Sequence, residues 1–337
     1  MDTNTLFSHL TQITTDTLDD HISDLYILQT NSSHHDDTSP SGTKLGMYSG
    51  KSSHVKLTNI VNDKDQSVTE EYTFEQSISN LNNTASSTGF VLWKISVPFL
   101  NWLLVCPYYR DLIHPSNPND RKFILELGSG VSGLFSCFVG RVSGNRYVAT
   151  DQYHLMKLLK KNIGSGLDSL GVSPFHTSTI GGGEEEEEHG HVSKKMKSKS
   201  NNNKKKSHHA KHQVPTIDAI CYDWENIEQG QYELSQILSE HNEPAHNSKP
   251  DLILGCDIVY NDYLVPHLVN ALDSLSGEHT VCLIGLQLRL LENIELFVAE
   301  LLDRGFEVYQ HMETVLSDEI NNSGPFVIYY IRRRNEK

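Results

Sequence analysis

From residue 120 onward, the chain alternates short, continuous apolar runs with longer stretches in which apolar residues recur at helical spacing. Continuous apolar runs predict strands that are buried on both faces, and the helices between them predict a parallel sheet covered on both sides. Strands are predicted at residues 122–127, 146–151, 217–223, 251–257, 280–287, 306–311 and 326–331. Helices are predicted at residues 132–139, 153–163, 232–239, 263–275 and 290–303.

The last two predicted strands are separated only by a polar turn within residues 313–324. Strands this close in sequence are predicted to be antiparallel neighbours at one end of the sheet, because a parallel pair needs a long crossover. The pattern therefore predicts an α/β, Rossmann-like fold whose seven-stranded sheet is mostly parallel and has one antiparallel strand.

Three regions outside this pattern define the predicted domain organisation. Residues 89–105 indicate a loop that enters an amphipathic helix, and weak alternation over residues 45–80 indicates a small strand pair. Residues 181–213 hold glycine, glutamate, lysine and histidine with almost no apolar residue, so they cannot offset the entropy of ordering. We predict a partly disordered N-terminal extension at residues 1–88 and a main domain at residues 89–337 that carries a disordered insertion at 181–213.

The acidic charge of the chain belongs to its predicted folded part. The net charge is −15, whereas the segment 181–212 alone carries +3, from eight lysines and five glutamates, which leaves −18 for the rest. A negative field raises the encounter rate with cations, and nucleic-acid binders usually have a basic face. We therefore expect a basic protein partner and no direct nucleic-acid substrate.

Composition also indicates the cellular compartment in which the chain is expected to fold. The five cysteines are scattered without a Cys-x-x-Cys pair, which argues against a disulfide framework or a zinc site and fits a reducing compartment. No stretch approaches the roughly 20 apolar residues that span a bilayer. We expect a monomer in the cytoplasm, with the nucleus as a second compartment, and neither a metal nor a membrane partner.

The candidate chemistry begins at the loop after the first predicted strand, Glu126-Leu-Gly-Ser-Gly-Val-Ser-Gly133. Glycines such as Gly128 and Gly130, on either side of Ser129, allow a sharp turn and let a ligand lie against bare backbone at a helix N-terminus. Asp151 ends the next strand, where an acid can accept hydrogen bonds from a ribose diol. The combination predicts a site for a nucleoside cofactor.

Two cofactors compete for this loop, S-adenosylmethionine and NAD(P). Glu126, immediately before the glycines, suits the ammonium group of an amino-acid moiety and would face a pyrophosphate unfavourably. S-adenosylmethionine is therefore favoured, and an NAD(P)-dependent oxidoreductase is the alternative.

Further motifs extend this pattern along the chain. Asp223-Trp224 follows the third predicted strand, and Asp257-Ile-Val-Tyr260 follows a Leu-Ile-Leu-Gly-Cys strand. The segments 76–78 (Gln-Ser-Ile) and 88–93 (Thr-Gly-Phe-Val-Leu-Trp) precede the glycine loop. In this order, the motifs resemble those of the seven-β-strand protein-lysine methyltransferases with a D-x-x-Y motif, and in particular their fungal ribosomal branch. The resemblance covers residues 76–331, and the D-x-x-Y motif is its most specific part.

The resemblance implies a class I methyltransferase fold and a role for each matching residue. Trp93 would cover the methionine end of the cofactor, Asp223 and Trp224 would flank its adenine, and Cys256 would line the site. Asp257 and Tyr260 would face the incoming lysine. The substrate implied is a large-subunit ribosomal protein, and the enzyme class is an S-adenosylmethionine-dependent protein-lysine N-methyltransferase.

Simpler structural roles and two rival functions stay open at this stage. Either tryptophan could be an ordinary core aromatic, and Asp223 could simply form a turn at a strand end. One rival is a nucleic-acid methyltransferase, although the D-x-x-Y position lacks the prolines that amino-methylating versions carry. The other is a binding module without enzymatic activity, since a fold does not fix a function.

Overall fold

All seven strands predicted from apolar runs are present in a computed structural model of the chain, and an eighth strand joins their sheet. The structure describes residues 6–33, 46–62, 67–83, 88–114, 121–142, 145–172, 175–178, 214–240, 248–312 and 325–334. The strands of the large sheet are β1 (Leu10–Ile13), β4 (Phe123–Leu127), β5 (Arg146–Asp151), β6 (Thr216–Cys221), β7 (Leu252–Cys256), β8 (Val281–Gln287), β9 (Phe306–His311) and β10 (Phe326–Arg333). A separate hairpin consists of β2 (His54–Val61) and β3 (Thr69–Glu75).

The order of strands across the large sheet is β6-β5-β4-β7-β8-β10-β9-β1. Strands β4 to β8 pair in parallel, whereas β10 is antiparallel to both β8 and β9. The predicted α/β class and the antiparallel pairing of the last two strands are therefore confirmed. From β4 the chain proceeds to β5 and β6 on one side and returns to β7 and β8 on the other. The carboxyl ends of β4 and β7 thus flank the crevice where sheets of this kind bind ligands.

The eighth strand, β1, is the main difference from the predicted sheet. It pairs antiparallel with β9 and takes the edge position that the prediction gave to the last two strands. Its four residues have only two buried side chains, Leu10 and Ile13, separated by two exposed ones. So short a segment has no repeating alternation, and its strand conformation depends on pairing with β9.

Helices cover both faces of the large sheet. They are α1 (Leu18–Ser33), α2 (Ile78–Asn83), α3 (Ser96–Val105), α4 (Arg110–Ile113), α5 (Leu134–Phe138), α6 (Tyr153–Ser169), α7 (Ile227–Glu240), α8 (Val265–Leu275) and α9 (Leu291–Asp303). One hydrophobic cluster joins α3, α5, α6 and the β2–β3 hairpin to one face of the sheet. A second cluster joins α1, α7, α8 and α9 to the opposite face.

Helix α6 continues six residues past the predicted end at Ile163, through two glycines. A Cβ atom on Gly166 would lie 2.5 Å from the Tyr72 ring and 2.8 Å from Cys137 Sγ. The glycine therefore permits close packing of the helix against the β2–β3 hairpin, which offsets its low helix propensity. A sequence pattern alone treats such a glycine as a helix end.

Helix α3 lies within the segment predicted as an amphipathic helix, but that description is wrong. Nine of its ten residues are buried, because the helix lies between the sheet and the β2–β3 hairpin. Asn101 satisfies the hairpin backbone from this buried position. Its side-chain oxygen accepts from the Val61 amide at 2.9 Å, and its side-chain nitrogen donates to the Asn59 carbonyl at 2.8 Å. Burial on all sides leaves no polar face.

The N-terminal extension predicted for residues 1–88 contributes to the same sheet and clusters as the residues that follow it. Strand β1 extends the sheet, α1 packs on α9, and the β2–β3 hairpin lies within the segment 45–80 where a strand pair was expected. The predicted insertion at 181–213 lies outside the described residues. Within those residues, no helix has the length and apolar character needed to cross a membrane.

A matched pair of substitutions tests whether α1 belongs to the folded core. Leu25 is 1% exposed in the second cluster, whereas its neighbour Tyr26 is 63% exposed. Leu25→Ala should lower the free energy of unfolding by about 2–5 kcal/mol, because it leaves a cavity. Tyr26→Ala should change it by less than about 0.5 kcal/mol. Urea denaturation of both variants measures the difference, and equal stability would place α1 outside the core.

Candidate active site

A cavity that opens to solvent, with about 820 Å³ of empty space including its mouth, lies at the carboxyl ends of the central parallel strands, beside β4 and β7. Every site residue predicted from the sequence lines it: Trp93, Glu126, Gly128, Ser129, Gly130, Asp151, Asp223, Trp224, Cys256, Asp257 and Tyr260. The remaining lining residues are Thr88, Gly89, Val91, Leu92, Ser96, Ser132, Phe135, Gln152, Leu155, Tyr222, Ile258 and Leu264. The fold thus brings residues from separate parts of the chain to one place.

The loop after β4 needs its glycines for both conformation and space. Gly128 and Gly130 have φ angles of 67° and 58°, in the left-handed region that glycine adopts without strain. A Cβ atom on Gly128 would lie 2.7 Å from Ile258, and one on Gly130 would lie 2.9 Å from the Gly89 carbonyl oxygen. The backbone of residues 128–130 therefore lines the cavity wall without side chains at the two glycines, and we call this segment the glycine cradle.

Glu126 lies at the base of this cradle and is 4% exposed. Burial raises the pKa of its carboxyl group to about 7, although hydrogen bonds from Tyr147 and Ser129 oppose the rise. The Tyr147 hydroxyl donates to Glu126 Oε2 at 2.7 Å. A buried carboxylate with an elevated pKa gains stability when a cationic group binds beside it. The site is therefore suited to an ammonium group.

Asp151 ends β5 and uses its carboxylate to order the glycine loop. The Gly130 amide donates to its Oδ2 at 2.7 Å, and the Gln152 amide donates to its Oδ1 at 2.8 Å. Burial raises the pKa of Asp151 to about 6 despite these two hydrogen bonds. Each carboxylate oxygen has two acceptor sites, so both retain capacity for the hydroxyl groups of a ribose.

Asp223 and Trp224, which follow β6, also line the cavity. Asp223 caps a short 3₁₀ helix, since its Oδ1 accepts from the Glu225 amide at 3.1 Å. It therefore has the turn-forming role considered from the sequence and also lines the cavity. Trp224 is partly buried, and its ring lies 3.3 Å from the position of a Cβ atom on Gly128. An aromatic ring this close to the glycine cradle can stack on a planar base.

Asp257 has an unusual backbone conformation at the end of β7. Its φ angle of 59° lies in the left-handed region, and no other non-glycine residue in the described ranges has a positive φ. Such a conformation costs on the order of 1–2 kcal/mol in a residue with a Cβ atom. The Asp257 amide donates to the Gly285 carbonyl at 2.7 Å, which ties the turn after β7 to the neighbouring strand β8. This backbone conformation places the Asp257 side chain in the cavity wall.

The Asp257 carboxylate is paired with Arg289, a residue that sequence reasoning missed. Arg289 Nη2 lies 2.5 Å from Asp257 Oδ2, and the Gln287 amide donates to Oδ1 at 3.3 Å. The same guanidinium lies over the Trp93 ring, 4.6 Å from its centroid. In the sequence, Arg289 is one of nine arginines and belongs to none of the motifs described above. Only its position two residues after the end of β8 could have suggested a place at this edge of the sheet.

Cys256 and Tyr260 complete the D-x-x-Y side of the cavity. Cys256 Sγ donates to Ser96 Oγ at 3.5 Å, and burial raises the pKa of this thiol. Tyr260 is partly buried and its hydroxyl is hydrogen-bonded to the Thr88 side chain, while burial raises its pKa. Both groups are therefore neutral at physiological pH. They can shape a channel but do not add charge to it.

The residues present fit S-adenosylmethionine better than NAD(P). Glu126 offers its carboxylate where a pyrophosphate would be repelled, and Asp151 and Trp224 suit a ribose and a base. The chain does contain a Tyr-x-x-x-Lys pattern, at residues 153–157, which some NAD(P) enzymes use. Tyr153, however, is 79% exposed and does not line the cavity. Among the residues that the structure describes, no group of acidic, histidine or cysteine side chains is arranged to hold a metal ion.

Sequence comparisons agree with this cofactor assignment. A family model described as lysine methyltransferase matches residues 234–303. The ribosomal lysine N-methyltransferase 5 of Candida glabrata is 25% identical over 80% of this chain and 80% of its own length. Proteins of the same name from Kluyveromyces lactis and Vanderwaltozyma polyspora are each 26% identical, over 78% and 96% of this chain and 80% and 100% of their own lengths. These matches confirm the predicted resemblance to protein-lysine methyltransferases.

The elevated pKa values of the site predict how cofactor affinity depends on pH. Glu126 must be ionised to face a cation and Asp151 to accept hydrogen bonds, so affinity should fall as the pH drops through the pKa of Glu126, about 7, and then that of Asp151, about 6. Calorimetry with S-adenosylmethionine between pH 5 and 8 measures this fall. Asp151→Asn should weaken binding at pH 8 about tenfold or more and make the remaining pH dependence shallower. An unchanged pH dependence in the variant would exclude Asp151 from the cofactor site.

Proposed function

We propose that this chain, an S-adenosylmethionine-dependent protein-lysine methyltransferase, methylates a lysine side chain of a large-subunit ribosomal protein. The observation that carries the proposal is the position of the D-x-x-Y motif. Asp257 and Tyr260 line the same cavity as the glycine cradle, so a captured lysine would meet the cofactor there. The names of the relatives support a ribosomal substrate, and the resemblance to the fungal branch supports the large subunit.

The residues around the cradle would hold the cofactor in distinct ways. Glu126 would face its ammonium group, Asp151 would accept from the ribose hydroxyls, and Trp224 with Asp223 would flank the adenine. Trp93 would cover the methionine end. When bound, S-adenosylmethionine supplies a methyl group on a positively charged sulfur, which a neutral amine can attack. The cradle contributes by fixing the position of that methyl group against the channel of the lysine.

The chain must also provide a neutral lysine. A lysine of ordinary pKa, about 10.4, requires roughly 4–5 kcal/mol to lose its proton at pH 7. The apolar and neutral groups of the channel, Cys256 and Tyr260 among them, disfavour the charged form of the amine. An isolated Asp257 carboxylate would have the opposite effect. We therefore assign Asp257 to capturing and aiming the lysine rather than to removing its proton.

The charge of the chain fits a basic substrate. The net charge of −15 attracts a cationic protein by long-range steering, whereas an RNA substrate would be repelled. Ribosomal proteins that bind RNA carry the basic surface that such steering requires. A monomer that meets its substrate in the cytoplasm is part of the same proposal.

A nucleic-acid methyltransferase is the alternative that the same fold would allow. Incubation of the chain with labelled S-adenosylmethionine and dissociated large ribosomal subunits separates the two functions. Label should enter protein, and mass spectrometry should place it on a lysine. Label that enters RNA would establish the alternative, and label in neither fraction would contradict both.

Asp257→Asn tests the assigned role of the D-x-x-Y carboxylate. The change keeps the size of the side chain but removes a carboxylate acceptor for the lysine and leaves the partly buried guanidinium of Arg289 without its carboxylate partner, so methyl transfer should fall at least 100-fold. Cofactor affinity should change less than threefold, because Asp257 is assigned to the substrate side. Initial rates with ribosomal proteins and calorimetry with S-adenosylmethionine give the two values.

The matched control is Asp251→Asn, at the opposite end of the same strand. Asp251 immediately precedes β7 and accepts a hydrogen bond from the Phe123 amide at 2.8 Å, far from the cavity. This variant should methylate like the wild type. Equal losses of cofactor binding and activity in Asp257→Asn would contradict the role given to Asp257.

A further inference from the structure

Arg289 contacts two of the residues that define the lysine side of the cavity. Its guanidinium pairs with the Asp257 carboxylate at 2.5 Å and lies over the Trp93 indole at 4.6 Å. Asp257 and Trp93 both line the cavity, whereas Arg289 does not. The arginine therefore touches both residues from outside the cavity. This geometry is that of a support rather than of a group that contacts substrate.

The loop that carries Arg289 is itself held by the N-terminal helix. Gln29, on α1, donates from its side-chain nitrogen to the carbonyl oxygens of Leu288 and Arg289, at 2.9 and 3.0 Å. The Arg289 side chain also donates to Gln287 Oε1 at 3.5 Å. A guanidinium on a fixed backbone loses less entropy when it forms an ion pair. A series of contacts thus links the N-terminal helix α1, through Gln29 and Arg289, to Asp257 in the cavity.

Asp257 needs a counter-charge because its side chain is only 1% exposed. Burial raises the pKa of this carboxyl group and Arg289 opposes the rise. The other titratable side chains that line the cavity are Cys256, Tyr260 and Tyr222, whose pKa values are all raised by burial, and the carboxyl groups of Glu126, Asp151 and Asp223. A carboxylate paired with Arg289 exerts little net attraction on an ammonium group, so an amine beside the pair keeps its proton less strongly.

We propose that Arg289 is a positioning residue that fixes Trp93 and Asp257 as one unit and cancels the charge of Asp257 where the target lysine enters. The inference rests on the proposed lysine-methyltransferase function. Asp257 then aims the amine through its remaining hydrogen-bonding capacity without holding it in the charged form. The ion pair resolves the conflict between capturing a lysine with a carboxylate and reacting with a neutral amine.

A second ion pair in the chain provides a matched control. Arg332 pairs with Glu307 at 2.7 Å and lies over the Phe7 ring at 4.6 Å, with a side-chain exposure of 30% against 27% for Arg289. Arg332 and Glu307 are on the paired strands β10 and β9, and neither lines the cavity. Arg332→Met therefore removes the same kind of contact without touching the active site.

The test compares the pH dependence of methyl transfer in the wild type, Arg289→Met and Arg332→Met. The full chains are assayed with labelled S-adenosylmethionine and limiting large-subunit ribosomal proteins between pH 6 and 10. In Arg289→Met the uncompensated Asp257 should hold the lysine proton, so the acid limb of the rate profile should move upward by on the order of one pH unit. The rate at pH 7 should fall about tenfold or more and recover partly at pH 9–10.

The controls separate this effect from a loss of structure. Arg332→Met should keep the wild-type profile. Arg289→Lys retains the charge and should move the acid limb much less than Arg289→Met. Gln29→Ala loosens the loop that carries Arg289 and should give a smaller shift in the same direction, so it provides the decisive readout if Arg289→Met does not fold. A profile unchanged in shape in the folded Arg289 and Gln29 variants would overturn the proposal.

Tryptophan fluorescence gives a readout that needs no turnover. Removal of the guanidinium should change the emission of Trp93, and the change should vanish when Arg289→Met is made in a Trp93→Phe background. A wild type that labels no lysine would refute the proposed function. An active wild type with an unshifted Arg289→Met profile would refute only the role of Arg289, and unaltered Trp93 emission would refute its positioning part in either case.

Discussion

The site depends on the parallel pairing of β4 with β7. In this register Leu127 lies beside Gly255, so the glycine loop that follows β4 and the Asp257 turn that follows β7 leave the sheet next to each other. Gly255 has no side chain in a place where a Cβ atom would lie 2.5 Å from Ile258. The close fit of these two strand ends places the cofactor cradle and the D-x-x-Y motif on one cavity. A shift in the register of β4 against β7 would move the glycine cradle away from the D-x-x-Y motif.

The second constraint is electrostatic. Four carboxyl groups, those of Glu126, Asp151, Asp223 and Asp257, line one cavity, and burial raises the pKa of three of them. Their partners differ: a tyrosine hydroxyl donates to Glu126, backbone amides donate to Asp151 and Asp223, and a guanidinium pairs with Asp257. Such separate environments allow acids of the same type to serve different parts of a cofactor and substrate. In the mechanism we propose, the charge of the arginine partner matters at the place where the target lysine must become neutral.

The N-terminal residues contact both the large sheet and the loop that carries Arg289. Strand β1 extends the sheet, α1 packs against α9, and Gln29 ties α1 to the loop after β8. The hairpin β2–β3 packs on the opposite face, together with the buried helix α3. The segment ahead of the glycine loop therefore packs on both faces of the sheet whose strand ends form the cavity. Its weak hydrophobic patterns gave little sign of this, because its elements are short and are stabilised mainly by contacts with the main sheet.

The sequence by itself determined the seven strands from residue 120 onward with the helices between them, the antiparallel pairing of the last two strands, and eleven of the residues that line the cavity. It could do so because buried parallel strands are continuous apolar runs, and functional groups in such folds follow directly after them. Only the tertiary structure decided that Leu10–Ile13 is a strand, that α3 is buried on all sides, and that Arg289 joins Trp93 to Asp257. Each of these depends on contacts between distant segments. The hydrophobic pattern of a single segment cannot predict such contacts, because strand pairing and burial depend on the partner segments as well.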